Sequence, residues 1–123
     1  MSKATLYISG PMSGKPDFNR TEFENAEWEL KQLGDFNIIN PHELPPPLTI
    51  PVDDADEVNW VLYLARDLRA IIHYSEDAIL VTLPGAGDSR GASLEIRAAK
   101  ALGIPVLSLE DFKKIYTKIN QKD

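Results

Sequence analysis

The sequence has no cysteine. Disulfides are excluded, and no thiol can serve as nucleophile or ligand. Histidine is scarce: His42 and His73 lie far apart and lack metal spacing, so no metal and no cofactor is expected. No apolar run nears the ~20 residues that a bilayer-spanning helix needs. No signal peptide pattern is present either, and a cytoplasmic protein with no membrane partner is the expectation. Basic charge is short as well, with 13 Lys+Arg against 19 Asp+Glu and a net charge of −6. A nucleic-acid polymer is normally held by a basic face that neutralises phosphates. Outside a C-terminal tail with Lys113, Lys114, Lys118 and Lys122, spaced as a solvated helix face, no such stripe exists. Nucleic acid polymers are therefore not expected partners, whereas a small phosphorylated ligand bound by local N–H groups remains open.

What is present is an ordinary apolar fraction, 43%, over 123 residues. That length predicts one domain over residues 1–123, with a core that needs no staples. Residues 4–9 read as a buried strand ending at Gly10. Phe18 to Leu33 carries apolar residues at helical spacing, with Gly34 behind it. Phe36 to Asn40 is a short strand. Five prolines between residues 41 and 56, three of them consecutive, exclude helix interior and central strand there. Val58 to Ile72 is a helix whose predicted core stripe is Val58, Val61, Leu62, Ala65, Leu68 and Ile72. Ala78–Leu83 is a strand, Gly91 to Leu102 a helix, Pro105 to Leu109 a strand and Glu110 to Ile119 a closing helix.

Strands alternating with helices imply parallel pairing and right-handed crossovers. The predicted fold is α/β: a doubly wound, flavodoxin/Rossmann-like three-layer sandwich on a four- to five-stranded parallel sheet. Ligands bind such sheets outside the carboxyl ends of the strands, at the switch point. Two glycine-containing loops are expected there, Ser9–Gly14 and Pro84–Gly91.

In the second loop Ser89 or Asp88 can cap the following helix. The exposed N–H groups at a helix start also favour an anion, and glycines such as Gly91 permit close approach. Taken alone, this loop reads equally as an ordinary capped turn. Glu95 lies about one helical turn past Gly91, near the same loop end. It is either a functional carboxylate or a surface acid paired with Arg97 or Lys100. Asp67 lies roughly 140° from the expected core stripe, among Trp60, Tyr63, Leu64 and Ile71. An acid in that setting has a raised pKa suited to proton handling; the alternative is a surface acid paired with Arg66 or Arg69 while the apolar groups face a partner subunit. Tyr7, near Gly10, can orient a carboxylate or fill space. Arg90 can steer phosphate or solvate its loop.

Together, Y-I-S-G-P-M-S-G, Y-L-A-R-D-L and L-P-G-A-G-D-S-R-G-A-S-L-E, followed by A-L-G-I-P-V, resemble the nucleoside 2-deoxyribosyltransferase superfamily. The resemblance covers about residues 5–109 and is strongest to the small DUF4406-type branch. It implies a nucleophilic Glu95 that attacks the anomeric carbon of a (deoxy)ribosyl group, an acid Asp67 that protonates the leaving base, and Tyr7 orienting the nucleophile. It implies a glycosyl-enzyme intermediate passed to water, as in the deoxynucleoside-monophosphate N-glycosidases, or to a second base. Ser89 falls where those hydrolases bind the 5′-phosphate, so Gly10, Ser89, Arg90 and Gly91 are the expected substrate- and phosphate-binding residues. The implied partners are a small nucleoside or nucleotide and further copies of the chain, as a homodimer or higher homo-oligomer. A second resemblance competes. P-G-A-G-D-S-R-G-A-S-L-E is similar to the loop of the lysine-decarboxylase-like phosphoribohydrolases and their sensor relatives, which implies a nucleotide-derivative binding module without turnover. A plain flavodoxin-like interaction domain is the third reading; it predicts neither coupling between Asp67 and Glu95 nor a pocket at the glycine loops.

Overall fold

The computed structural model describes residues 3–51 and 56–120. Four strands, β1 (Thr5–Ser9), β2 (Asn37–Ile39), β3 (Ala78–Thr82) and β4 (Val106–Ser108), form one parallel sheet in the order β2-β1-β3-β4. Four helices intervene or follow: α1 (Arg20–Leu33), α2 (Asp56–His73), α3 (Arg90–Ala101) and α4 (Leu109–Asn120). The chain is thus the expected doubly wound α/β sandwich. β1 pairs with both neighbours, from Thr5 against Asn37 on one side and against Ala78 on the other. The strand order reverses direction beside β1, which makes its carboxyl end the switch point.

Alternation along the strands divides the core in two. Leu6, Ile8, Val81 and Leu83 face α1 and α4, where they pack with Phe23, Leu30 and Phe112. Tyr7 and Leu80 face the other way, against Ile71 of α2 and Ala99 of α3. The polar ends of β1 and β3 on this second side, Ser9 and Thr82, therefore lie at the carboxyl edge of the sheet beneath α2 and α3.

The sequence places two features incorrectly. The first helix begins at Arg20 rather than Phe18, because Asp17, Phe18 and Asn19 all adopt left-handed conformations (φ 49, 52 and 64°). Each costs roughly 1–2 kcal/mol in a residue with a Cβ; Asn19 anchors the turn by donating from Nδ2 to the carbonyl of Pro11 at 3.0 Å. The second concerns α2. Of its expected core stripe, Val58, Val61 and Ile72 are exposed, whereas Ile71 and Asp67 are buried. The helix is rotated by roughly a third of a turn from the expected setting, and the acid is carried inward.

Gly10 closes β1 where the chain crosses Leu83. A Cβ there would stand 2.9 Å from the Leu83 Cβ, closer than side chains tolerate. Gly10→Ala is expected to destabilise the fold by about 1–3 kcal/mol through this overlap, read as a lower urea midpoint with an unchanged slope; an unchanged midpoint would contradict the tight crossing.

Candidate active site

The site is built where β1 ends beneath α2 and α3. Ala92 and Ala99 are buried on α3 one turn to either side of Glu95, and their small side chains let the helix lie close to the sheet. Glu95 is consequently 5% exposed, although it is a carboxylic acid. Each of its oxygens accepts a hydroxyl hydrogen bond from β1. Tyr7 Oη donates to Oε2 at 2.9 Å, and Ser9 Oγ donates to Oε1 at 2.7 Å. The period-2 geometry of a strand sets both hydroxyls on one face.

Asp67 reaches the same point from α2 and is 8% exposed. Trp60, Leu64 and Ile71 share its arc of the helix at spacings of three, four and seven residues, which is what turns it inward. Arg66 holds it from the side: Nε and Nη2 donate to Oδ1 at 3.0 and 2.8 Å, leaving Oδ2 outside the ion pair. A third bond from Arg66 Nη2, to the carbonyl of Pro41 at 3.1 Å, ties the pair to the start of the proline-rich loop.

The electrostatics follow from burial. Glu95 has its pKa raised to about 8, chiefly by desolvation and then by the negative charge of Asp67; the bonds from Ser9 and Tyr7 oppose the rise. Asp67 is also raised by burial, against the lowering effect of Arg66. Each carboxyl also acts on the other: Asp67 raises Glu95 and Glu95 lowers Asp67, which favours a proton on Glu95 and the charge on Asp67. The pair titrates as a unit. Tyr7 is pushed well above its ordinary 10.0 by burial and by both acids, so it stays a donor. Ser9→Ala removes one of the bonds that lower Glu95. Its expected effect is an alkaline shift in the titration of the buried pair, seen by carboxyl NMR or by the pH dependence of stability; no shift would show that Ser9 does not act on the anion.

The remaining expected residues form the loop side. A cleft of about 400 Å³ opens between the two glycine loops, lined by Pro11, Ser13, Lys15, Gly85, Asp88, Ser89 and Arg90. Ser89 is the helix cap, its Oγ accepting from Ala92 N at 3.4 Å. Gly85 adopts φ +85°, which favours glycine in the tight turn after β3. Arg90 is not free to swing: its guanidinium lies 3.8 Å over the Trp60 ring, and Nη1 pairs with Glu57 at 2.8 Å. Gly10 and Gly91 are not among the cleft-lining residues; a Cβ added at Gly91 would meet only the Trp60 edge, at an ordinary contact distance.

Tyr7, Asp67 and Glu95 are thus brought together, and Ser89 and Arg90 meet at the adjoining cleft. Arg66 is among the sequence alternatives as the partner of Asp67, but the pair is buried rather than on the surface. Two participants escape the sequence reading. Ser9 is signalled only by its alternation with Tyr7. His42 gives no signal: its imidazole packs edge-on against Phe23 at 4.8 Å, and its Nε2 is buried without a hydrogen-bond partner among the described residues. Burial and the charge of Arg20 lower its pKa. The proline-rich loop opens with a 3-10 turn at Pro41–Glu43 and has no regular secondary structure over residues 45–51; residues 52–55 lie outside the described residues. Among the described residues no cluster of three or more acids or histidines could hold a metal ion, and no helix is long and apolar enough to cross a membrane.

These features define an α/β protein with a buried carboxyl pair at the switch point of a parallel sheet. The chain belongs to the family described as Domain of unknown function (DUF4406), which matches residues 4–108. Among curated proteins and among solved structures, nothing matches the chain.

Proposed function

We propose that this protein cleaves the N-glycosidic bond of a small (deoxy)nucleoside or nucleoside 5′-monophosphate, with Glu95 as nucleophile and Asp67 as acid and base. The observation that carries this reading is the carboxyl pair itself: two buried acids that act on each other's protonation, one facing two hydroxyl donors and the other facing an arginine. A nucleophile and an acid need opposite protonation states at one pH. A pair that holds one proton provides both.

In the resting site the proton sits mainly on Glu95, with the charge on Asp67 beside Arg66. Transfer within the pair gives the working form. The Glu95 carboxylate is held by Tyr7 and Ser9 and attacks C1′ of the sugar. The C1′–N bond breaks, its electron pair passes to the base nitrogen, and the proton on Asp67 neutralises the base. Asp67, now ionised, takes a proton from water or from a second base. That acceptor attacks C1′ and frees the Glu95 carboxylate. Carboxyls near enough to shift each other's protonation suit this double displacement, for which retaining glycosidases hold them about 5–5.5 Å apart. A single displacement needs about 6.5–9.5 Å between them to seat a water.

The loop cleft supports a phosphate subsite, although Asp88 is among its lining residues. Ser89, the N–H groups that start α3, Lys15 and Arg90 favour an anion there, and this supports a 5′-monophosphate over a free nucleoside. The resemblance to nucleoside 2-deoxyribosyltransferases and their N-glycosidase relatives points the same way. A soluble, cytoplasmic setting and a homo-oligomer belong to the same proposal.

A second reading is favoured by one observation: the cleft that fits an anion is lined by the loops and not by the carboxyls. On that reading the chain binds a nucleotide derivative without turnover. The pocket and the coupled acids both count against a plain interaction domain. Incubation with each (deoxy)nucleoside and its 5′-monophosphate, with and without a second free base, separates the two. Release of base from monophosphates alone identifies a hydrolase, and exchange only in the presence of acceptor identifies a transferase. No release, together with thermal stabilisation by nucleotides, would overturn the enzymatic reading in favour of the binding module.

A further inference from the structure

Arg66 is the cation at the carboxyl pair, and only 15% of its side chain is exposed. Both of its bonds to Asp67, from Nε at 3.0 Å and from Nη2 at 2.8 Å, converge on Oδ1. The same Nη2 donates to the carbonyl of Pro41 at 3.1 Å, and the guanidinium carbon lies 5.0 Å from the centre of the Tyr63 ring. Arg66 thus has two seats side by side: the carboxylate, and the carbonyl with an aromatic face beside it. Glu95 is held differently, by the neutral hydroxyls of Tyr7 and Ser9. A cation on a carboxylate adds a charge–charge attraction that a hydroxyl lacks, and burial leaves that attraction weakly screened. With Arg66 seated on Asp67, the negative charge of the pair belongs on Asp67. Without Arg66 the balance inverts, because Asp67 loses both N–H donors while Glu95 keeps two hydroxyl donors.

We propose that Arg66 is a positioning residue that decides which acid of the pair carries the charge, and that the Pro41 carbonyl and the Tyr63 ring are the seat it takes when it releases Asp67. On the N-glycosidase reading, on which this role rests, Glu95 must be the anion and Asp67 the acid. That is the reverse of the arrangement Arg66 holds at rest. A shift of the guanidinium from Oδ1 toward Pro41 withdraws the charge that favours an ionised Asp67, and the proton passes from Glu95 to Asp67. The pair holds one proton before and after, so the step changes no net charge. The cation is not stranded by it: Nη2 already touches the carbonyl, and the aromatic face of Tyr63 attracts a cation. The second seat is firmly built. Pro41 follows Asn40, which is 2% exposed, accepts from His42 N and donates to Glu27 of α1 at 3.1 Å. Besides Arg66, the groups that face the pair are Tyr7 from β1 and His42 from the turn after β2. Tyr7 is held well above its ordinary range, and His42 is lowered by burial and by Arg20, so both are neutral near pH 7 and leave the balance to Arg66.

Carboxyl carbon-13 NMR tests this without any turnover. The Asp67 and Glu95 signals, assigned with Asp67→Asn and Glu95→Gln, report the population of each protonated site across a pH titration, which a macroscopic pKa of the pair does not. In the wild type Asp67 is expected to carry the charge at neutral pH and Glu95 to ionise last, near 8. Arg66→Met keeps the stem and removes the charge. It is expected to invert the order, with Glu95 charged at neutral pH and Asp67 ionising last. Arg66→Lys restores a cation on the same stem and is expected to restore the wild-type order. A merely structural Arg66 would change the urea midpoint and leave the order alone. A wild type in which Asp67 holds the proton, a folded Arg66→Met that keeps the wild-type order, or an inverted order in Arg66→Lys would each overturn the proposal. The wild-type and Arg66→Lys results stand whether or not Arg66→Met folds. Inversion in Arg66→Met with no base released from any nucleotide by the wild type would support Arg66 as the residue that places the charge and overturn the N-glycosidase reading. Base release by the wild type with no inversion would overturn the role of Arg66 alone.

Discussion

Glu95→Gln is expected to be inactive and, above neutral pH, more stable than the wild type. Loss of activity follows from the proposed role: the amide cannot attack C1′, and removal of a nucleophile from a concerted site costs on the order of 10⁴-fold or more in kcat. The stability gain follows from burial. Glu95 ionises near 4.5 in the unfolded chain but only near 8 in the folded one. Between those values the folded state holds a proton that the unfolded state has lost. Stability is therefore fully present below pH 4.5 and is lost as pH rises toward 8. Over that window the loss is on the order of 3–5 kcal/mol. Glutamine keeps the shape and cannot ionise, so the variant escapes the loss. Thermal melts from pH 5 to 9 are expected to diverge progressively, reaching about 10 °C in favour of the variant at the alkaline end. Superimposable melts would mean that Glu95 carries no buried proton.

Asp67→Asn is expected to separate leaving groups. An ordinary purine or pyrimidine leaves as an anion unless it is protonated, and loss of the acid costs roughly 10²–10³-fold. An N7-methylated purine leaves as a neutral base and needs little help, so its hydrolysis should fall far less. The wild type is expected to give a bell-shaped pH–rate profile, because the working pair carries one proton: both acids are protonated on the low side, and both are ionised above about 8. The alkaline limb belongs to the acid. It should flatten in Asp67→Asn with the methylated substrate and remain in the wild type with ordinary bases. An equal loss across both leaving groups would remove Asp67 from proton transfer and leave it a positioning role through Arg66.

The order of elements was legible because each strand is a short apolar run and each loop is marked by glycine or proline. The setting of α2 was not. That helix has apolar residues on both sides, so periodicity finds two stripes and cannot choose between them. The arc with Asp67 looked like the surface because it holds an acid. Burial of that acid becomes acceptable only through Arg66 beside it, Glu95 and the end of β1, and the last two are not local to the helix. The left-handed turn at Asp17–Asn19 was hidden for a related reason: the bond from Asn19 to Pro11 belongs to a fold already formed. Glu95 and Tyr7 stood out through their motifs. Ser9 could have been found by counting two residues from Tyr7. His42 could not, since its burial arises where the proline-rich loop meets Phe23.

Capture of the sugar on Glu95 tests the central proposal most directly. A 2′-fluoro-arabinosyl nucleotide slows departure from a glycosyl-enzyme, because fluorine disfavours the positive charge that develops at C1′. Intact mass spectrometry after mixing the protein with such nucleotides, one for each base, is expected to show the chain plus one sugar phosphate. Peptide mapping should place the adduct on Glu95, and Glu95→Gln should show none. Base release without any adduct, or an adduct that persists in Glu95→Gln, would contradict a nucleophilic Glu95.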